Sequence, residues 1–536
     1  MMKLRRATFL LLGLLVLIVT ACRRTAEVTH YAVIPEPLFV NYTEGSYTLT
    51  SSVTVFFDNI SQNAPTVKFV TSAFRKLHFH PNLVGSSTED ALTFRINGEV
   101  NSELGEEGYL LDISVDGISI SANTETGLFY GFQTLLQLLP SDVYRHPYKS
   151  VILPCGTILD SPTFSWRGCQ LDVAHYFLSP DEVKRYLDLL ASYKFNHCLL
   201  QVVAPNAHYR IESSWADLAT NPLRNDEMYS ADDIVDILNY AEELHIEVVP
   251  MVVVDSAMLL RLGETRLRQF QNLQMLADDV GNSFKTGHVM ISVSDTVLQH
   301  QVADYILASG RQLVVDESAG VYDNSVVVCQ SNQIPSLVGT KTSEILFAPA
   351  SYCSFDRYQS DSAYHVRAHP GYLPLSRVYR FAPMLDALPY NKMVIGSMVT
   401  MQSDLIANLS QFDYMLLPRL CAFSEALWTS AERKDWPRFR RAVEGHKQRL
   451  ADRGYAYCEG SFRPILHVVQ RDSMYEVVLE CEVPETQFRY TIDSNATADQ
   501  FLTYQGAIMI PLGATLRIAP HYKGENFEGI YTFHLE

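Results

Sequence analysis

Between Phe164 and Ile395 the chain alternates short, continuous apolar runs with stretches whose apolar residues recur at helical spacing. The runs are Gly168–Val173, Cys198–Val203, Ile246–Val254, Val289–Val293, Gln312–Val315, Val326–Cys329, Ile345–Phe347 and Met393–Ile395. A run that is apolar throughout, rather than at every second residue, belongs to a strand covered on both faces, as in a parallel sheet. The intervening stretches carry helix-start signals. Ser179-Pro180-Asp181-Glu182 offers a cap, a proline at the first position and acids in the first turn, and Ser230-Ala231-Asp232-Asp233 opens the next helix. Eight buried strands alternating with amphipathic helices predict an α/β fold built on a (β/α)8 TIM barrel over 156–454. The barrel is irregular or shortened, since some of its helices look short or missing.

The flanks follow other periods. From Tyr31 to about Pro154, Ser46–Leu49 and Val53–Phe57 are rich in β-forming residues. Gly108–Val115 and Gly117–Ala122 predict a hairpin around Asp116-Gly117, and Thr126–Leu139 is helical up to Pro140. These elements predict an N-terminal α+β domain over 22–155. After Gly454 the helical period stops, and Tyr475–Cys481, Gln487–Ile492, Gly506–Ile510, Thr515–Ile518 and Gly529–Leu535 predict a C-terminal β-sandwich over 455–536.

Residues 1–21 are set apart from the fold. Lys3, Arg5 and Arg6 precede the apolar run Ala7–Val19, which ends in Val19-Thr20-Ala21-Cys22. This is a signal peptide, too short for a convincing membrane span. Its ending resembles a bacterial lipobox, which implies lipidation of Cys22 and a lipid-anchored place in the bacterial cell envelope, at the outer membrane or periplasmic face. In the remaining chain no Cys/His spacing predicts a metal site, and nothing calls for a cofactor. A formal net charge of −18, with no basic stripe, excludes nucleic acid as a partner.

Several stretches carry a family resemblance: Glu107–Leu111 with Ala122–Gly131, Phe164–Val173, Gly371–Leu375, Tyr414–Arg419 through Glu425 and Trp428, and Phe488–Asp493. In this order they resemble glycoside hydrolase family 20, the β-N-acetylhexosaminidases, over almost the whole mature chain. The resemblance implies a substrate-assisted mechanism. An acid protonates the leaving oxygen while a neighbouring Asp orients the substrate acetamido group, which is itself the nucleophile. It also implies N-acetylhexosamine-containing glycans as ligands.

At the positions of that chemistry the sequence departs from the family. The Asp-Glu pair ending the fourth strand becomes Ser294-Asp295, and the substrate-gripping Arg after the first strand becomes His175. The Tyr for the acetamido oxygen falls on Ser354, two residues from Tyr352. The three Trp walls of the sugar pocket match Val315, Gln330 and Gln402, and an acidic partner matches Asp404. Only four tryptophans remain in the chain, and Trp166, Trp428 and Trp436 lie outside the pocket positions. Ser294 and Asp295 are thus the degenerate catalytic positions, with His175, Ser354, Tyr352 and Asp404 as candidate binding residues. The stretches between the third and fifth strands look shortened. The expectation is a lipoprotein without turnover that binds glycan or a cell-envelope protein. Two alternatives stand beside it: an active hexosaminidase with a divergent site, drawing on Asp255, Asp295, Asp316 or Glu317, and a purely structural subunit.

Overall fold

The computed structural model describes residues 24–28, 32–212, 215, 227–335, 343–360, 367–483, 485–522, 525–526 and 530–535. The leader and Cys22 lie outside the described residues. The chain divides into two compact units. One ends at Pro162 and takes in Glu243–His245 and Glu444–Gly454; the other holds Thr163–Glu242, Ile246–Val443 and the C-terminal strands.

The first unit is a mixed sheet covered by helices Pro65–Lys76 and Glu125–Leu138. Its longest strand, Tyr148–Asp160, pairs with Phe39–Thr50 and with Tyr109–Ser114. The predicted hairpin forms between Tyr109–Ser114 and Gly117–Ala122. Ser114 pairs with Gly117, so the two-residue loop is Val115-Asp116, one residue earlier than the Asp-Gly signal indicated. Thr124 caps the second helix through Gly127 N, and phenylalanines 74, 79, 94, 129 and 132 fill the space beneath it.

The second unit contains a closed barrel of eight parallel strands. They are β1 (Trp166–Asp172), β2 (His197–Val203), β3 (Glu247–Val254), β4 (His288–Val293), β5 (Gln312–Asp316), β6 (Val326–Cys329), β7 (Glu344–Phe347) and β8 (Val394–Val399). All eight continuous apolar runs are strands. Ser179 and Glu182 form a reciprocal capping box at the helix Pro180–Ser192. The barrel is irregular after β5, where the connection holds only the turn Glu317–Ala319, and after β6, where no helix occurs among the described residues. The segment between β3 and β5, which looked shortened, keeps the helices Ser256–Leu262, Arg266–Phe284 and Thr296–Ala308.

The C-terminal part packs a three-stranded sheet (Ile465–Arg471, Met474–Glu480, Ile508–Pro511) and a sheet centred on Gln487–Thr491 and Thr515–Tyr522 around Val477, Phe488, Ile510, Leu516 and Ile518. Ile465–Arg471 escapes a reading based on hydrophobic period, because its outer residues Val468 and Val469 are exposed. All eight cysteines among the described residues are buried free thiols.

The bottom of the barrel is closed by the first residues of four consecutive strands. Trp166 lies flat on His197 at 3.5 Å and edge-on to His288, while Glu247 accepts from His288 Nδ1 at 2.9 Å and from Thr286 Oγ1 at 2.6 Å. Burial pushes His197 from its ordinary 6.5 down to about 3. For Glu247 burial acts upward, but the bonds from His288 and Thr286 outweigh it and hold the carboxyl at about 2 instead of 4.5. Both folded values lie below the free ones, so the unfolded chain binds more protons in acid and stability falls with pH. The loss begins below 6.5 through His197 and steepens below 4.5 through Glu247. Urea midpoints measured across this range are expected to fall accordingly, and His197→Gln to flatten the upper part. An equally steep profile in the variant removes His197 from this role.

Candidate active site at the barrel mouth

In barrels of this kind, side chains following the carboxyl ends of the strands carry the chemistry. Here nearly every one of them is engaged in holding the fold. Asp172, fully buried at the end of β1, accepts from Ala174 N, His175 N and Ser403 N, and its second oxygen meets His175 Nδ1 at 2.7 Å. His175 Nε2 faces the Pro205 carbonyl at 3.2 Å. Both ring nitrogens therefore point at groups that only accept, and both bonds form only in the doubly protonated imidazolium. Burial works against that charge, yet Asp172, Asp404 and the Pro205 carbonyl together raise the pKa. Such a group adds stability that is complete below its free value of 6.5 and disappears as pH rises through the folded value. Nitrogen NMR of the His175 ring at pH 6.5 is expected to show both nitrogens protonated; a neutral tautomer there contradicts the assignment.

Asp295 follows β4 by two residues and caps the helix Thr296–Ala308. One carboxylate oxygen accepts from Val297 N and Leu298 N, both at 3.0 Å, and the other pairs with Arg266 Nη2 at 2.9 Å. The backbone N–H of Leu298, joined by Arg266 and the Val297 N–H, holds this carboxyl below its ordinary range against the opposing effect of burial. A general acid needs the reverse, a proton retained near neutrality. The side chain of Ser294 beside it meets the Ser256 hydroxyl at 3.2 Å, and its N–H donates to the Val254 carbonyl at 3.0 Å. Asp255 likewise caps the helix Ser256–Leu262 through Met258 N. Asp316 caps the turn after β5 and accepts from Gln330, and Glu317 accepts from the Ser331 amide and hydroxyl.

The remaining predicted residues lie after β7 and β8. Tyr352 stacks on Phe381 with ring centres 5.1 Å apart, so its face is covered by packing. Ser354 Oγ approaches Thr400 Oγ1 at 3.4 Å across an isolated β-bridge. Asp404 pairs with His369 Nε2 at 2.8 Å at a half-exposed position. Val315, expected at a sugar-pocket wall, lies in the fully buried core of β5, and Gln330 donates to Asp316. The structure thus gathers His175, Asp404 and Ser354 after β1, β7 and β8, and places Ser294-Asp295 in the turn that follows β4.

One carboxyl escaped the sequence reading. Asp356 lies just past Ser354, and burial raises its pKa, with His369, Arg419, the Gln402 N–H and Arg357 only partly offsetting this. Nothing in the local sequence signals it, because its raised pKa comes from burial imposed by tertiary packing. No cluster of His, Cys, Asp and Glu among the described residues fits a metal ion.

Residues 30–161 match the model described as glycosyl hydrolase family 20, domain 2, and residues 164–255 and 310–431 match glycosyl hydrolase family 20, catalytic domain. A Porphyromonas gingivalis β-hexosaminidase is 26% identical over 428 residues, covering 66% of this chain but 55% of its own length, so the chain spans about half of that relative. A Cellulomonas fimi β-N-acetylhexosaminidase is 22% identical over 77% of this chain and 93% of its own. Among solved structures, a Streptomyces coelicolor β-N-acetylhexosaminidase superposes with a TM-score of 0.70 at 23% identity, covering 81% of this chain and 98% of the other, a likeness of fold. With both of the family's domain models matched in order, and the barrel closed as they require, the chain belongs to glycosyl hydrolase family 20.

Proposed function

We propose that this is a non-catalytic member of the family, a lipoprotein anchored through Cys22 in the bacterial cell envelope, which uses the retained scaffold to bind N-acetylhexosamine-containing glycans or an envelope protein. The observation that carries the reading is the employment of Asp295. At the family's acid position stands a carboxylate whose two oxygens hold a helix start and an arginine. Further support comes from the gap in the catalytic-domain match: 256–309, the segment containing β4 and Ser294-Asp295, is the part left unmatched. Assay of the chain lacking residues 1–21 on a chromogenic N-acetylglucosaminide tests the reading. Turnover comparable with an active relative, abolished by Asp295→Ala, overturns it.

A second reading, an active hexosaminidase with a divergent site, draws on Asp356 and the His369–Asp404 pair. Asp356 has the raised pKa of a proton donor, and the same assay on Asp356→Asn addresses it. The third reading, a structural subunit without ligand, predicts that a glycan array stays blank.

A further inference from the structure

Away from the barrel mouth, a cleft of about 650 Å³ opens between the helix Leu375–Arg380 and Trp436 on one side and the strands Ile465–Arg471 and Met474–Glu480 on the other. A volume of this size suits a small-molecule ligand. Its two sides are clasped together. The buried Glu482 accepts from Ser376 N at 2.6 Å on the helix side and from Ser461 N at 2.9 Å on the strand side, and the hydroxyls of Tyr372 and Ser461 are bonded to each other. The cleft is therefore preformed.

The lining is cationic in a chain with a formal net charge of −18. Arg380 and Arg463 are exposed and form no ion pair among the described residues. Arg463 lies over the rings of Tyr372 and Tyr531, at 5.7 and 5.9 Å, which hold the guanidinium without neutralising it. Of the two lining carboxylates, Glu482 is taken up by backbone amides and Glu480 lies 3.4 Å from His467 Nε2. Trp436, half-buried against Tyr379 and Phe439, adds an aromatic wall. Guanidinium groups that keep their donors bind carboxylate or sulfate oxygens in pairs, and an indole face takes the apolar face of a sugar ring.

We propose that this cleft is a binding site for an acidic saccharide, its carboxylate or sulfate held by Arg380 and Arg463 and its ring resting on Trp436. The site is separate from the barrel mouth and does not depend on whether the barrel turns over substrate.

Calorimetric titration of the full chain with N-acetylneuraminic acid, a sulfated disaccharide and lactose tests this. At least one acidic sugar is expected to bind, with affinity falling as salt rises, while lactose does not. The arm that binds identifies carboxylate or sulfate. Arg380→Gln and Arg463→Gln, both at exposed positions, are each expected to weaken binding about tenfold or more, and Trp436→Phe to abolish the accompanying fluorescence change. Binding of neither acid above lactose, or unaltered affinity in the double arginine variant, overturns the proposal. So does saturation by polyglutamate without any fluorescence change, which assigns the cleft to acidic peptide instead.

Discussion

The chain lacking residues 1–21 is expected to hydrolyse p-nitrophenyl N-acetyl-β-glucosaminide at least about 10²-fold more slowly than an active family member, and Asp295→Ala to leave that rate unchanged. General-acid catalysis contributes about 10²–10⁴ in rate, and it requires a carboxyl that keeps its proton at the working pH. Asp295 is held in the opposite state, since two backbone amides and Arg266 all favour its anion. The same variant has a second readout. Val297 N and Leu298 N lose their acceptor, and loss of a helix cap costs about 1 kcal/mol, read as a lower urea midpoint. Unchanged rate with reduced stability marks a structural residue. The opposite pair of results, a clear rate that disappears while stability holds, marks an acid and ends the non-catalytic reading. A rate lost only in Asp356→Asn transfers the proton to Asp356 and establishes the divergent site.

Arg419→Met is expected to destabilise the barrel unit by about 3–5 kcal/mol, a large part of the stability of an ordinary domain. Arg419 is fully buried, and burial lowers its pKa to about 10, which leaves it charged at neutral pH. Its guanidinium donates to the carbonyls of Arg357 and Leu373, at 3.0 and 3.1 Å, and to those of Phe355 and Met415. Methionine fills a similar length but leaves four buried carbonyls without a donor, at about 1–3 kcal/mol for each group that water cannot reach. Arg419→Lys keeps the charge but not the planar fork, so an intermediate loss is expected. Denaturation of the three proteins measures this series, and a loss below about 1 kcal/mol in Arg419→Met shows that the carbonyls find other partners.

How legible the molecule was depended on whether a feature is local. The apolar runs became all eight barrel strands because burial on both faces leaves a mark at every residue of a strand. The start at Ser179 was readable because its cap and its acid lie within one turn. Ile465–Arg471 was not readable, since it is an edge strand paired only with Met474–Glu480 and leaves Val468 and Val469 in water. Ser294 and Asp295 were found through family register, but that Asp295 is a helix cap tied to Arg266 depends on a residue 29 positions earlier.

By itself the sequence determined the barrel, the α+β sheet before it and the family, because hydrophobic period and family motifs are written in consecutive residues. Tertiary structure alone decided what the polar residues at the barrel mouth do. It turned His175 into a clamped cation between Asp172 and Pro205, tied Asp295 to Arg266, and raised Asp356 by burial. Protonation and hydrogen-bond roles arise from partners brought together by closing the barrel, and no run of neighbouring residues records them.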